Sequence, residues 1–256
     1  MILQALADYY TRLQRDPNTD IASIGFSRQQ ISFEIVLEED GTLHNILDAR
    51  RQEGKKLVAR SLIVPGGAKS PGSGLNPGFL WDNTGYLLGY KPEDTNPERT
   101  RKSFEAFRDR HLALKEEIDD PEFSAVCKFL KHWNPADAES HEILKEITTG
   151  FGLFRIRGRD HYVHERDAVQ NYWQQQLHTH ENDGDEPTGQ CLITGRVGPL
   201  ARLHEPKIKG VRGAQSSGAL IVSFNFNATE SYGKESGVNA PVGSHTAFEY
   251  CTALNT

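Results

Sequence analysis

The chain has 256 residues, 37% of them apolar and 25% charged, a globular composition that excludes a disordered or collagen-like protein. It sets 29 Lys and Arg against 35 Asp and Glu, a formal net charge of -6, so a uniformly basic nucleic-acid binder is excluded and a locally basic one is not. No run of about 18 apolar residues is present, which removes a transmembrane helix. The opening MILQALADYY lacks a basic leader and carries Asp8, which predicts no secretory signal. Cys127, Cys191 and Cys251 are widely spaced and odd in number, as suits a reducing cytoplasm without a disulfide framework.

In chain order, Ile2, Leu6, Tyr9 and Leu13 predict one apolar face of a helix. Ile31, Phe33, Ile35 and Leu37 alternate and predict a strand with those four on one side. Glu38–Gly41 reads as a hairpin turn, with strands over Thr42–Asp48 and Leu57–Val64 completing an antiparallel meander. Pro65–Gly78 (PGGAKSPGSGLNPG) has eight Gly or Pro among its 14 residues and can be neither helix nor central strand. Phe79–Tyr90 returns to the core. The middle is helical. Asn96-Pro97 starts a helix to about Ile118, Pro121 starts a second, and a third covers about Pro135 to Ile147. A strand over Phe151–Arg157 and a helix over Arg166–Leu177 follow, then a polar, turn-rich surface loop or boundary from His178. Short and long strands are predicted at Cys191–Thr194 and Ala219–Phe226, with a basic loop between them. Ser244 is expected to cap a last helix, still periodic at Phe248, Tyr250, Cys251 and Leu254, which predicts a chain that continues in a larger protein.

These elements predict an α+β fold: an antiparallel meander, a helical middle segment and a basic loop before a strong strand. Residues 1–95 form the strand-rich part with the Gly/Pro-rich loop 65–78. Residues 96–180 form the mainly helical part, and 181–256 hold the basic loop, strand and last helix. The three are read as one N-terminal domain.

Charge is unevenly placed. Arg50 to Lys69 holds six basic residues and one acid, and Arg196 to Arg212 holds five and one, while acids gather at Glu116–Glu122 and Glu181–Glu186. The bland reading of both basic runs is solvated surface. The functional reading is phosphate contact. The first loop offers backbone amides freed by glycine, the hydroxyls of Ser70 and Ser73, the cation Lys69 and the amide of Asn76. It is not a Walker loop, because the GxxxxGK[ST] spacing is absent. The second loop, Ala201–Leu220, carries Arg202, Lys207, Lys209 and Arg212, then Gln215 framed by small residues in GAQSSG. Cations beside small hydrogen-bonding residues suit groove approach, and five phosphate contacts would set a log–log salt slope of about -4.5.

Catalytic patterns are thin. His141-Glu142 lacks the second histidine of HExxH, and GxSxG does not occur. His161, His164, His178 and His180 lack ligand spacing, so no metal or cofactor is expected. Cys191 with His204 as base is the one nucleophile pairing to consider, against the reading of CLITG as a buried strand. Nothing assembles an acid, a base and an oxyanion site, and no enzyme is expected.

MILQALADYY, NPGFLWDNTGYLLGY, and above all CLITG, ARLHEPKIKGVRGAQSSGALIVSFN and ESYGKE resemble one family across the whole chain: the large subunit of the type I-C CRISPR surveillance complex, Cascade. Family members are longer, so the chain is similar to their N-terminal part. The resemblance implies a cytoplasmic, non-catalytic subunit. It would recognise the protospacer-adjacent motif in duplex DNA and help open it, beside the guide RNA and the subunit holding the 5′ handle, and then serve a helicase–nuclease. Phage-encoded inhibitors are further implied partners. In related complexes a glycine-rich loop, a lysine and a glutamine wedge approach from the minor groove. The matching candidates here are Lys69, Ser70, Gly72, Ser73, Gly74 and Asn76 in the first loop. In the second they are Lys207, Lys209, Arg212, Gln215, Ser216 and Ser217, with Gln215 as the wedge. Which loop takes which role stays open. So does the alternative that both loops face guide RNA or a neighbouring subunit without reading DNA.

Overall fold

The computed structural model describes the chain except residues 68–73, 148–149, 183–186, 216, 225 and 230–231, with backbone alone at 178–182 and 227. Helix α1 (Ile2–Arg15) precedes the strands β1 (Phe26–Leu37), β2 (Leu43–Asp48), β3 (Arg51–Glu53), β4 (Lys56–Val58), β5 (Arg60–Pro65) and β6 (Trp81–Asn83). Helices α2 (Thr84–Leu87), α3 (Pro97–Ala113), α4 (Pro121–His132) and α5 (Glu142–Glu146) lead to strand β7 (Phe151–Ile156). Helix α6 (Asp167–Asn182), strands β8 (Thr188–Gln190) and β9 (Val197–Pro199) and helix α7 (Ser244–Leu254) complete the order. No helix among the described residues is long and apolar enough to cross a membrane. The fold is mixed α+β, with antiparallel strand pairs and a helical middle, and it forms two compact units: Phe26–Gln176, and Met1–Gly25 together with Leu177–Thr256.

The larger unit is organised by β1. Its first half pairs antiparallel with β5 and its second half antiparallel with β2, while β7 runs parallel on the other edge and carries β6. Phe33, Ile35 and Leu37 are fully buried against Phe107 of α3, Phe123, Val126 and Leu130 of α4, and Phe154 and Ile156 of β7. Burying each such side chain stabilises the fold by roughly 1.5–3 kcal/mol. Ile31 departs from the predicted pattern. Two residues of β1 oppose one of β7 between Ile31 and Phe33, and this bulge turns Ile31 into a second cluster with Val64, Trp81, Leu153 and Tyr162. Simple alternation cannot foresee a bulge.

The helix starts follow local chemistry. The Asn96 side chain accepts from the Arg99 amide at 3.1 Å with Pro97 in the first turn, and Asp120 accepts from Glu122 and Phe123 at 2.8 and 3.0 Å ahead of α4. Residues 135–147 are not one helix: a 3-10 stretch, Pro135–Ser140, breaks at His141 before the short α5. Helix α6 runs five residues past Leu177, into the stretch expected to be a loop.

In the smaller unit α1 packs on α7. The apolar face of α1 is Leu3, Leu6, Ala7 and Tyr10, not the predicted set, since Ile2 and Tyr9 are exposed. Tyr10 donates to the Ala22 carbonyl at 2.9 Å and meets Phe248 edge-on at 6.0 Å. Ser244 is the first residue of α7, which has no side-chain cap. Two strand expectations fail here. Cys191–Thr194 is the loop of the β8–β9 hairpin, closed by Cys191 N–H to Arg196 O and Gly195 N–H to Cys191 O, both 2.8 Å. The described residues of Ala219–Phe226 form no strand, only a single bridge from Ala219 to Ile208. Ile221 and Phe226 are exposed, and a β-prone segment without a partner stays irregular.

Candidate nucleic-acid interface

The second loop is held at two levels. Its entry is fixed by Ala201 N–H to Val242 O at 2.9 Å, and His204 and Ile208 are buried anchors. Ile208 and Ala219 then exchange two backbone hydrogen bonds of 2.9 and 2.8 Å. Asn255, just after α7, clamps the same neck: its side chain accepts from the Lys209 amide at 2.9 Å and donates to the Lys207 carbonyl at 3.0 Å. A side chain and one bridge thus do the anchoring expected of a strand.

Beyond the neck every residue from Lys209 to Gln215 is exposed. Lys207, Lys209 and Arg212 make no side-chain hydrogen bond or ion pair among the described residues. Gly210 and Gly213 hold φ of +76° and +84° in open space, a left-handed backbone that admits close approach. A turn from Gln215 O to Gly218 N–H at 2.9 Å leaves Gln215 and Ser217 at the exposed end, and Ser216 lies outside the described residues. The structure therefore puts Lys207 at the neck, and Lys209, Arg212, Gln215 and Ser217 beyond it, on one anchored loop.

The first loop belongs to the larger unit. Lys69, Ser70, Gly72 and Ser73 lie outside the described residues. Both flanks are pinned. The Trp81 indole donates to Pro65 O at 2.6 Å, and Arg99 donates to Gly74 O at 3.3 Å. The Asn76 backbone N–H donates to the Tyr86 hydroxyl at 3.0 Å, and Gly78 N–H donates to Asp82 at 2.7 Å. A Cβ at Gly78 would stand 2.0 Å from the Trp81 carbonyl oxygen, so only glycine fits. Gly74 and Asn76 are exposed, yet their backbones serve the fold. Sequence reasoning missed Arg99 and Arg110, which reach back from α3 to Gly74 and Pro77; two basic residues on a helix carry no mark of a loop thirty residues away.

The sequence matches the CRISPR-associated protein family Cas_Csd1 over residues 6–256. The chain belongs to the Csd1 family. No curated protein matches it.

The pairing of Cys191 with His204 is not formed in this Csd1-family chain. His204 is buried with its Nδ1 on the Tyr250 hydroxyl, and burial lowers its pKa, so the ring is neutral. Among the described residues its Nε2 has no hydrogen-bond partner. Burial pushes the Cys191 thiol up, but the Thr194 hydroxyl and the amides of Gly243, Thr194 and Ile193 outweigh it and bring the pKa to about 7. No three His, Cys, Asp or Glu side chains converge as a metal set among the described residues.

Proposed function

We propose that this Csd1-family chain is the N-terminal part of the large subunit of a type I-C surveillance complex, that it contacts target duplex DNA at the protospacer-adjacent motif, and that it helps open the duplex for guide-RNA pairing. The observation that carries this reading is the anchored, glycine-rich second loop, with three exposed cations that have no partner among the described residues. A charged residue ordinarily finds a counter-charge or dilutes itself over the surface. Here three cations within six residues are held forward on a backbone that can approach a groove closely. In this reading Lys207, Lys209 and Arg212 meet phosphates, and Gln215 wedges the first opened step. The protein binds and does not turn over. The guide RNA, the subunit at its 5′ handle and a helicase–nuclease are its partners in the assembled complex.

The test is binding of motif-bearing duplex by the assembled complex carrying K207A/K209A/R212A, with Q215A alongside. The triple variant is expected to lose DNA affinity on any duplex, and Q215A to slow opening while leaving a pre-opened duplex unaffected. Unchanged affinity in the triple variant overturns the DNA reading of the loop; equal loss by Q215A on pre-opened DNA overturns the wedge.

A second reading has its own observation. Leu203, Val211, Ile221 and Phe226 are exposed apolar side chains on or beside the loop, which suits a neighbouring subunit. Under that reading V211S loosens assembly while the cation variant leaves DNA affinity intact.

A further inference from the structure

The basic run from Arg50 divides sharply in the fold. Arg50 is tied to both oxygens of Asp48 at 2.9 and 2.8 Å and to Glu146 at 3.2 Å. Arg60 reaches Glu34 at 3.5 Å and the Tyr162 hydroxyl at 3.1 Å. Between these two anchored arginines the chain leaves the main sheet as a separate two-stranded ribbon, β3 paired with β4. Every residue from Arg51 to Val58 is exposed. Gly54 makes the tip turn at φ +61°, with nothing within 4 Å of where its Cβ would stand. Among the described residues Arg51, Lys55 and Lys56 have no side-chain partner, and Glu53, although in register with Lys56, forms no ion pair with it. The ribbon buries neither face and leaves three cations unneutralised in eight residues, so packing within the fold does not account for it.

We infer that this ribbon docks duplex DNA by entering the major groove, with Arg51, Lys55 and Lys56 on the flanking phosphates. This rests on the DNA-binding reading above and extends it to a second element and to the other groove. Dimensions favour the duplex. Paired strands lie about 4.8 Å apart, and the B-form major groove, about 12 Å wide, admits such a ribbon. The major groove of A-form RNA is too deep and narrow for it. Chemistry favours phosphate over a protein surface. The register puts Val58 on the face of Arg51 and Leu57 on the opposite face with Gln52, so the two apolar residues form no patch for a partner to cover.

The test compares R51A/K55A/K56A with K207A/K209A/R212A, each in the full chain within its assembled complex. Binding is followed over a salt series on a DNA duplex and on an RNA duplex of the same sequence, with dimethyl sulfate footprinting of guanine N7 in the major groove. The ribbon variant is expected to bind DNA about tenfold more weakly, to lose about 2.7 from the magnitude of the log–log salt slope, and to lose the N7 protection that the wild type gives. R51K/K55R/K56R is expected to restore all three, which separates charge from folding. Unchanged DNA binding and footprint in the ribbon variant, with the second-loop variant impaired, overturns this inference and leaves the DNA reading standing. No change in either variant overturns both. Equal weakening on the RNA duplex overturns the assignment to DNA.

Discussion

Glu34 sits 6% exposed in the middle of β1 and has three partners there: Arg155 Nε at 2.9 Å, the Tyr162 hydroxyl at 2.8 Å and Arg60 at 3.5 Å. Burial and the neighbouring Glu34 carboxylate push the Tyr162 hydroxyl up to about 12, so it donates throughout the physiological range. Removing Glu34 leaves the half-buried Arg155 and Arg60 and the buried Tyr162 hydroxyl without their shared partner. E34A is therefore expected to cost about 3 kcal/mol in urea unfolding, and Y162F about 1 kcal/mol; equal losses would mean that the carboxylate is not the centre of the set. A second residue sets pH behaviour. His111 is fully buried, accepts from Leu80 N–H at 3.0 Å and donates through Nδ1 to Phe107 O at 2.7 Å. Desolvation, with Arg110 adding repulsion, lowers its pKa to about 3, and burial lowers that of His164 as well. His111 stays neutral in the fold down to about 3 and takes a proton in the unfolded chain below its ordinary 6.5, and the lowered pKa of His164 acts in the same direction. The unfolded state then binds more protons, so stability is full above that pH and drains as pH falls from about 6.5 towards about 3. The urea midpoint is expected to be lower at pH 5 than at pH 7.5, with a flatter profile in H111Q; a midpoint that rises on acidification contradicts this.

At the scale of elements, the second loop depends on a clamp that no local pattern announces. Asn255 lies some fifty residues from the neck it holds, and a lone asparagine after a helix reads only as a C-terminal residue. N255A is expected to leave α7 intact and to raise amide exchange at Lys209 and its neighbours through Gln215, read by hydrogen–deuterium exchange; unchanged protection there would place the anchoring in the Ile208–Ala219 bridge alone. What was legible in the sequence follows from how local its cause is. Asn96-Pro97 and Asp120-Pro121 fix helix starts within one turn, and both are where the sequence puts them. The face of α1 and the fate of Ala219–Phe226 depend on partners distant in the chain: Tyr10 turns inward onto Phe248 of α7, and the β-prone segment has no strand to pair with among the described residues. For the candidate site, charge runs and glycine placement were readable, whereas the sorting of cations into tied and free was not. Arg50 and Arg51 are neighbours of one type, and only the fold ties the first to Asp48 and Glu146 and leaves the second in solvent.

For the molecule as a whole, the charge balance of -6 sets the condition under which any DNA contact must work. A net-negative body is repelled by a phosphate backbone at long range, so attraction has to come from short-range, fixed cations. DNA binding by such a body, as proposed above, would be local and steeply salt-dependent. The two compact units each present one such feature, the 209–215 tip in the smaller and the 51–58 ribbon in the larger. The most direct measurement is the salt dependence of affinity for motif-bearing duplex, wild type against K207A/K209A/R212A in the assembled complex. Three lost phosphate contacts predict a log–log slope shallower by about 2.7, with affinity falling most at low salt. Parallel lines of equal slope and equal height would contradict the account.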